Sequence, residues 1–450
     1  MGCEDADVSA EGVDRRSIGR VAERAGRHRV VVIGAGFAGL NVVKYLADQP
    51  VDVVVIDRHN YNTFQPLLYQ VATAGLDASD VAHSVRAILR NQPNVECRMG
   101  SVVGVDPDAK QVLVEGEEPI AYDTLVLAVG ATTHYFGVPG AEEFGLPLYT
   151  LDHAAVLRNH MLRCFEQAAV EPLLIDDGVL TFVIAGAGPT GVEMAGALAE
   201  LFVWVLGRDF PEVDADRARA ILVETRPVAL ASFHPRIQQY ARETLESRGV
   251  ELRLEETVRA VTRTRVGLAS GDELKAHTLI WTAGVRANPL ADRLPFARDA
   301  AGRIEVIDDL CVPGHPDVFA VGDLAAARGR DGQALPQVAP VAIQSGRHVA
   351  RQIARRLQDR GTRPFRYADR GTMATIGRRS AVADLPFGIR LRGTFAWFAW
   401  LALHLVYLIG LRNRSLVLAK WAWNYLRWDW GPRLVLDPEG TAAPRDGRSS

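Results

Sequence analysis

One glycine-rich turn, set between two hydrophobic strands, constrains the fold of this chain more than any other feature. The β-branched run Arg29–Ile33 is typical of a buried parallel strand, and it leads into Gly34-x-Gly36-x-x-Gly39 and a helix over 40–47. A second such run, 51–56, ends in Asp57, 18 residues after the last glycine. Glycines in this order let a pyrophosphate approach the helix N-terminus, and the acid can bind a ribose hydroxyl. The stretch therefore predicts a dinucleotide site, because a glycine-rich turn in an unrelated α/β protein would not require the acid.

The same design is found a second time, in the middle of the chain. The strand Leu180–Ala185 runs into Gly186-Ala-Gly188-Pro-Thr190-Gly191, a helix is predicted over 192–201, and the strand 220–223 ends in Glu224. Two such sites indicate that one nucleotide is a tightly held redox cofactor and that the other exchanges. We therefore expect an α/β fold with two Rossmann-type dinucleotide-binding domains, which is the architecture of a two-dinucleotide flavoprotein.

Composition excludes several other classes of protein. A length of 450 residues accommodates two or three domains, and a net charge of −3 gives no case for a nucleic-acid partner. The cysteines are isolated in sequence, which excludes a Cys-x-x-Cys electron relay and favours a reduced compartment. No group of histidines and cysteines has metal-ligand spacing, so we expect no metal site. Residues 1–26 lack the apolar segment of a signal peptide and are expected to be a disordered leader.

The remaining strands and turns divide the chain into expected domains. A flavin domain begins over 27–148, a nucleotide domain is inserted over 149–284, and the flavin domain resumes over 285–385. One buried strand ends in Gly130, and another ends just before Asp323, which is a position suited to hold the ribityl chain of a flavin. We also expect a meander over 95–114 and a helix over 336–358 that opens at Pro336.

The segment 386–436 differs from the rest of the chain in its aromatic content and its net charge of +6, from seven Lys or Arg and one Asp. Nineteen residues without a formal charge lie between Arg392 and Arg412, and a second helix carries Lys420, Asn424 and Arg427 on one stripe. Six of the eight tryptophans lie here, at Trp397, Trp400, Trp421, Trp423, Trp428 and Trp430. We expect helices lying in an anionic membrane interface, in preference to a transmembrane span or a buried dimer interface. Residues 437–450 form a tail.

In combination, these stretches resemble the type II NADH:quinone oxidoreductases, single-subunit flavoproteins of respiratory membranes. The similar stretches are VVVIGAGFAGL, YNTFQPLLYQVATAGL, FVIAGAGPTGVEMAGALAEL, TLIWTAGV, DVFAVGDLA, GTMATIGRRSAV and the Trp-rich tail, which together span about residues 28–434. The resemblance implies that the first turn holds FAD and the second holds NADH. It implies electron transfer from NADH through FAD to menaquinone or ubiquinone, without proton pumping. We expect a homodimer, peripheral or monotopic, on the cytoplasmic side of the inner membrane.

The resemblance also implies roles for individual residues. Glu193 matches the family's acid near the nicotinamide and the flavin, and the first turn of a nucleotide-binding helix is an unusual place for a purely structural carboxylate. With Gln344, it would orient substrates and tune the flavin. The family's quinone signature, Ala-Gln-x-Ala-x-Gln, corresponds to 339–344, so Ala339, Ile343 and Gln344 are expected quinone contacts. Pro340 stands where the signature has glutamine. Proline cannot donate the hydrogen bond that a glutamine amide would donate. The expected cofactor-binding residues are Gly34, Gly36, Phe37, Gly39, Asp57, Arg58, Val102, Gly130, Gly186, Gly188, Thr190, Gly191, Glu193, Glu224, Gly284 and Asp323.

Nucleotide preference and rival functions follow from a few residues. Glu224 favours NADH, because a carboxylate repels a 2′-phosphate, although the nearby Arg226 leaves some tolerance of NADPH open. A soluble ferredoxin or rubredoxin reductase of the same fold would not need the tryptophan-rich tail. Sulfide:quinone oxidoreductase would need a cysteine pair that this chain lacks. A non-catalytic, membrane-tethered NADH sensor would contain a flavin that NADH reduces and quinone does not reoxidise.

Overall fold

A computed structural model describes residues 26–203, 207–427 and 433–435. The expected leader, apart from Gly26, lies outside these ranges, as do Trp428, Trp430 and the expected tail. The first sheet has six strands drawn from both ends of the chain. In order across the sheet they are Cys311–Val312, His315–Ala320, Thr124–Leu127, His28–Ile33, Val51–Asp57 and Val95–Met99. Neighbours are parallel except for the pair at Cys311–Val312. The β-branched runs lie buried at its centre, as their composition predicts.

The second sheet is wholly parallel and is built from the chain between the two halves of the first. Its five strands are, in order, Gly145–Pro147, Thr278–Trp281, Thr181–Ala185, Arg219–Glu224 and Glu251–Leu254. The main helices of this part of the chain are Leu151–Val170, Pro189–Leu201 and Pro235–Ser247. Two Rossmann-like sheets thus contain the two glycine-rich turns. We call Phe37–Tyr45 the first nucleotide helix and Pro189–Leu201 the second nucleotide helix.

Antiparallel elements accompany the two sheets. One meander consists of Val102–Asp106, Gln111–Val114 and Ile120–Ala121, and another of Val258–Val261, Arg265–Leu268 and Glu273–Lys275. Two ribbons pair Ala131–Thr133 with Val285–Ala287 and Tyr61–Thr63 with Ala82–Ser84. The meander expected over 95–114 is wrong in its first part. Val95–Met99 is an edge strand of the first sheet, because the buried strand Val51–Asp57 takes its backbone groups as partners.

Short helices occupy the connections. The short α-helices are Leu68–Ala72, Ala78–Val81, Val85–Leu89, Ala141–Phe144, Gly207–Asp209 and Leu290–Arg293. Single 3₁₀ turns are found at Gln65–Leu67, Pro172–Ile175, Ala215–Arg217, Gly322–Leu324 and Pro386–Gly388.

The long helix expected from Pro336 begins three residues later and covers Ala339–Arg356. Val338 is extended, with φ −135° and ψ 153°, so the residues before it form a loop. Pro340 lies in the first turn of the helix, where its missing N–H leaves no intrahelical bond unmade. The long helix crosses the first nucleotide helix at backbone distance, since a Cβ on Gly346 would lie 2.3 Å from the Ala38 carbonyl oxygen.

A third sheet leads to the C-terminal helices. Its antiparallel strands are Thr372–Gly377, Ser380–Leu385 and Ile389–Arg392, and the helices Gly393–Tyr407 and Leu411–Arg427 follow. The second nucleotide helix packs on this sheet at backbone distance, because a Cβ on Gly196 would lie 2.3 Å from the Ile376 carbonyl oxygen. Among the residues that the structure describes, no helix combines the length and the apolar character needed to cross a membrane.

The sequence predicts that the tryptophans of the C-terminal helices face a membrane. The structure instead buries most of those that it describes. Trp397, Trp400 and Trp421 are buried in the core that also contains the second nucleotide helix, whereas Trp423 is exposed. Lys420, expected on a polar stripe of this helix, contacts Asp77 and Asp80 at 2.6 Å each. The reason is electrostatic, because the buried Asp80 carboxylate requires a compensating charge. The side chains of Asn424 and Arg427 lie outside the described residues.

Candidate active site

The two glycine-rich turns have matching backbone geometry. Gly34 and Gly186 have φ values of +101° and +97°, in the left-handed region that side chains disfavour. Five residues later, a Cβ on Gly39 would lie 1.8 Å from the Gly34 carbonyl oxygen, and one on Gly191 would lie 1.9 Å from that of Gly186. Each helix can therefore begin directly against its strand, which directs its N-terminus toward a bound phosphate.

The acid that ends each following strand also binds its turn in the same way. The Ala35 N–H donates to Asp57 Oδ2 at 2.7 Å, and the Ala187 N–H donates to Glu224 Oε2 at 2.7 Å. A carboxylate has about four acceptor sites, so each acid keeps capacity for a ribose hydroxyl. The sequence spacing thus corresponds to one local structure that is built twice.

One cavity of about 1270 Å³ connects the two units. It exceeds the roughly 300–1,000 Å³ of most ligand pockets, so a large cofactor and a second ligand fit together. The expected site residues in its wall are Gly34, Gly36, Phe37, Asp57, Arg58, Val102, Gly130, Thr190, Glu193, Gly284, Asp323 and Ala339. Outside its wall are Gly39, Gly186, Gly188, Gly191, Glu224, Ile343 and Gln344.

The wall beside the first turn fits a flavin nucleotide. Asp323 faces the cavity just after a buried strand, and the Tyr149 hydroxyl lies 3.5 Å from its Oδ2. Burial raises the pKa of Asp323 to about 6, although the bond from Tyr149 acts in the opposite direction. An enclosed carboxyl with spare acceptor sites suits a chain of hydroxyl groups. Gly36 leaves open space at the N-terminus of the first nucleotide helix, where a pyrophosphate binds.

Glu193 lies where the second nucleotide helix meets the cavity. The residue is 7% exposed, and its Oε1 accepts a hydrogen bond of 3.3 Å from the Thr375 N–H. Burial raises the pKa of Glu193 to about 8, and the Thr375 N–H and the nearby Trp400 indole offset only part of that rise. A solvated helix-start acid would be exposed and charged. Glu193 is instead buried, and its raised pKa favours the protonated form at neutral pH.

The expected quinone contacts separate into two groups. Ala339 and Pro340 line the cavity, whereas Ile343 and Gln344 do not. Gln344 is bound to the loop that follows the long helix: its Nε2 donates to the Ala368 carbonyl at 2.9 Å, and its Oε1 accepts from the Ala368 N–H at 3.0 Å. The structure therefore does not bring Gln344 to the cavity, because this loop occupies its amide.

The far end of the cavity reaches the C-terminal helices, where sequence reasoning had named no site residue. Leu403, His404 and Tyr407 line this end. The His404 ring stacks on Trp400 with centroids 4.0 Å apart, and its Nδ1–H donates to the Trp400 carbonyl at 2.8 Å. Burial lowers the pKa of His404 to about 4, so the ring is neutral at physiological pH. In the sequence, the one signal for His404 as a site residue is that a single histidine lies in an apolar segment.

Two other wall residues were missed for a different reason. Tyr149 contacts Asp323 across 174 residues of sequence, and Gln337 Nε2 donates to the Asp323 carbonyl at 2.9 Å. Burial raises the pKa of Tyr149, so its hydroxyl remains a hydrogen-bond donor. Neither residue belongs to a pattern that sequence alone would single out.

Comparison with known proteins agrees with this geometry. A family model described as pyridine nucleotide-disulphide oxidoreductase matches residues 28–346, and one described as the NDH2 C-terminal domain matches 370–427. The type II NADH:quinone oxidoreductase Ndh of Mycobacterium tuberculosis is 38% identical over 435 residues, which are 93% of this chain and 92% of the relative. This chain belongs to the type II NADH:quinone oxidoreductases. The type II NADH:quinone oxidoreductase of Staphylococcus haemolyticus is 30% identical and aligns with 83% of this chain and 93% of its own length.

Solved structures of other proteins share the fold. NDH2 from Plasmodium falciparum in complex with NADH superposes with a TM-score of 0.83 at 18% identity, over 91% of this chain and all of that one. The sulfide:quinone oxidoreductase of Aquifex aeolicus gives 0.67 at 19% identity, which shows likeness of fold alone. Within the described ranges, Cys97, Cys164 and Cys311 are free thiols, so no cysteine pair of the kind that rival needs is found there.

Proposed function

We propose that this chain takes two electrons from NADH and passes them through FAD to a quinone, menaquinone or ubiquinone, without proton pumping. Electron transfer from NADH to a quinone through FAD is the activity of its family. The observation that carries the proposal is the single cavity. The first glycine-rich turn, Glu193 and His404 all lie in its wall, so both nucleotides and the electron acceptor can meet in one continuous space.

FAD would lie along the first sheet. The turn over 34–39 would bind its pyrophosphate, Asp57 and Arg58 its adenosine ribose, and the Val102 backbone its adenine. Gly130 and Asp323 would lie toward the flavin end, where the carboxyl of Asp323 accepts from the ribityl hydroxyls. When bound, FAD accepts a hydride and gives up two electrons singly or together. The chain supplies binding, orientation and exclusion of water.

NADH would lie along the second sheet, with its pyrophosphate at 186–191 and its adenosine ribose at Glu224. Thr190, Glu193 and Gly284 line the cavity, so the nicotinamide end would enter there. Glu193 is protonated and buried at neutral pH, which allows it to donate a hydrogen bond while the nicotinamide is bound and a proton when a quinone is reduced. NADH is preferred to NADPH because of the Glu224 charge.

The quinone would enter between the start of the long helix and the helix Gly393–Tyr407. Pro340, His404 and Tyr407 line that end of the cavity. Exposed apolar side chains lie on this helix and on the turn and strand before it, and we call them the apolar face: Phe387, Ile389, Phe395, Phe398 and Val406. Arg390 and Arg392 are exposed beside these side chains. An apolar face with cationic neighbours suits an anionic lipid surface, which is where a quinone dissolves.

The proposal also covers the domain boundaries, the oligomeric state and the membrane location of the protein. We assign 27–148 and 285–385 to an FAD domain, 149–284 to an NADH domain and 386–436 to membrane anchoring. Strand membership of the two sheets supports this division except at Gly145–Pro147, which precedes residue 149 but pairs with Thr278–Trp281 in the second sheet. We further propose a homodimer that binds the cytoplasmic side of the inner membrane as a peripheral or monotopic protein.

The test is rapid-mixing absorbance of the purified FAD-containing protein. NADH should bleach the flavin, and menaquinone or ubiquinone analogues should restore its colour. Flavin that NADH reduces and quinone cannot reoxidise would instead favour the NADH sensor, and reoxidation by ferredoxin or rubredoxin alone would favour the soluble-type reductase. Binding to anionic vesicles should fall in a Phe395→Glu/Phe398→Glu variant and remain in Leu173→Glu, because Leu173 is exposed away from the apolar face.

A further inference from the structure

We propose that Glu200, together with a small chamber behind Glu193, delivers the proton that quinone reduction draws from solvent. This inference rests on the proposed function and adds a route to it. Hydride transfer supplies two electrons and one proton, and the balanced reaction is NADH + H⁺ + quinone → NAD⁺ + quinol. One proton must therefore enter the site from solvent in every turnover, and it needs a path to the quinone.

The chamber lies along one face of the second nucleotide helix. Glu193, Ala197 and Glu200 are spaced at i, i+4 and i+7, so they share that face, and all three line a cavity of about 40 Å³. A buried water needs roughly 10–15 Å³ of such volume and two to four polar partners, so the chamber has room for about three or four waters. Thr375 and Tyr69 also line the chamber.

Glu193 forms the inner end of the chamber. It lines the chamber as well as the main cavity, so a proton that leaves toward the quinone can be replaced from behind. The balance of each step is simple: the Glu193 O–H bond breaks as an O–H bond forms on the quinone oxygen. The resulting carboxylate then takes a proton from chamber water.

Glu200 forms the outer end. It is 6% exposed, and its Oε1 accepts from Arg248 Nη1 and from the Arg378 N–H. The Arg248 side chain is 22% exposed, so this end of the chamber approaches solvent. Burial raises the pKa of Glu200, whereas Arg248 and Arg378 oppose that rise. A carboxyl with opposing influences of this kind can take a proton from solvent and return it to chamber water.

The competing explanation is that Glu200 is a structural partner of Arg248, which joins the second nucleotide helix to the turn at 377–379. Two substitutions separate the roles. Glu200→Gln keeps an oxygen that accepts both hydrogen bonds but carries no exchangeable acid proton. Ala197→Leu fills the chamber and alters neither acid. Glu243→Gln, on an exposed helix face, is the matched control.

The experiment measures the two half-reactions of the FAD-containing protein separately. Reduction of the flavin by NADH should stay within about twofold of wild type in every variant. Reoxidation by quinone should slow at least tenfold in Glu200→Gln and in Ala197→Leu, with a larger solvent deuterium isotope effect and slower proton uptake by an indicator dye. Glu243→Gln should match wild type in all of these.

A second measurement does not depend on turnover. The infrared band of the protonated Glu193 carboxyl, assigned by its loss in Glu193→Gln, should exchange with deuterium more slowly in Ala197→Leu than in wild type. Wild-type exchange in both chamber variants, or wild-type reoxidation rates and isotope effects, would overturn the relay and leave the proposed function intact. Equal slowing of both half-reactions would assign Glu200 a structural role and also overturn it. Wild-type protein that quinone cannot reoxidise would end both proposals.

Discussion

The indole N–H of Trp421 donates a buried hydrogen bond of 2.9 Å to the side-chain oxygen of Gln70. Gln70 in turn donates to the Tyr69 hydroxyl at 2.8 Å, and Tyr69 lines the main cavity. The second C-terminal helix is therefore linked to the site wall by two consecutive hydrogen bonds. Lys420, the preceding residue, adds its contacts with Asp77 and Asp80 to the same short segment.

Trp421→Phe should lower the free energy of unfolding by about 1–3 kcal/mol, because it leaves the buried Gln70 oxygen without its donor. Calorimetry or denaturant unfolding of the FAD-containing protein measures this loss. Trp423→Phe is the control, since Trp423 is 54% exposed and a surface change is worth within about 0.5 kcal/mol. Equal effects of the two substitutions would contradict the assigned role of the Trp421–Gln70 bond.

Glu193 should make the protein less stable as pH rises. Burial raises its pKa from 4.5 to about 8, so the folded state binds more protons than the unfolded state between these values. Its contribution to the free energy of unfolding is fully present below pH 4.5 and is lost as pH rises to about 8. Glu193→Gln should flatten the fall of the melting temperature over that range and be the more stable protein above it. Part of the fall in melting temperature with rising pH should remain in this variant, because burial also raises the pKa of Asp323 to about 6. A variant that follows the wild-type curve would contradict the raised pKa.

The paired glycines should separate the two nucleotide sites. Gly39→Ala places a Cβ against the Gly34 carbonyl and should reduce retained FAD. Gly191→Ala does the same at Gly186 and should raise the KM for NADH at least tenfold, or about 1.4 kcal/mol, with FAD retained. Flavin absorbance after desalting and steady-state kinetics measure the two effects. Gly361→Ala is the control, because a Cβ there meets nothing within 4 Å.

Wild-type turnover should be faster with NADH than with NADPH. Glu224→Gln removes the charge and keeps an oxygen for the Ala187 N–H, so it should raise the relative kcat/KM for NADPH at least tenfold. The comparison uses both nucleotides with one quinone analogue. A wild-type preference for NADPH would overturn the assignment of Glu224.

Replacement of His404 and of Gln344 by alanine should affect quinone binding differently. His404→Ala should raise the KM for quinone at least tenfold and leave flavin reduction by NADH unchanged, because His404 lines the quinone end of the cavity. Gln344→Ala should change the KM for quinone less than threefold, since its amide binds the Ala368 backbone instead. A large effect at Gln344 and none at His404 would return the quinone site to the position implied by the family signature.

Local patterns explain why so much of the fold was predictable. A glycine turn, its helix and the acid at the next strand end lie within about 30 residues, and their chemistry is set by backbone geometry that only those residues allow. The same reasoning found Asp323, because a buried strand followed by glycine delivers its next side chain to the sheet edge. The interface and core roles of the tryptophans could not be separated in this way, since both environments favour the same side chain.

Contacts between distant segments account for the errors. Gln344 is turned from the cavity by a backbone segment 24 residues later, and Lys420 is drawn inward by acids more than 300 residues earlier. Glu200 and Tyr149 acquire their surroundings from distant strands and loops that no local spacing specifies. The contacts of such residues can be identified only from the folded structure.

The buried tryptophans have a consequence for any attempt to obtain a water-soluble version of this enzyme. A chain shortened to residue 385 would lose His404 and Tyr407 from the quinone end and would leave Tyr69 and Gln70 without Trp400 and Trp421 against them. The shortened protein would aggregate or lose its flavin, and it would not become a stable protein in water. Solubility has to come from polar replacements on the apolar face, at Phe387, Phe395 and Phe398, with the inner face kept whole.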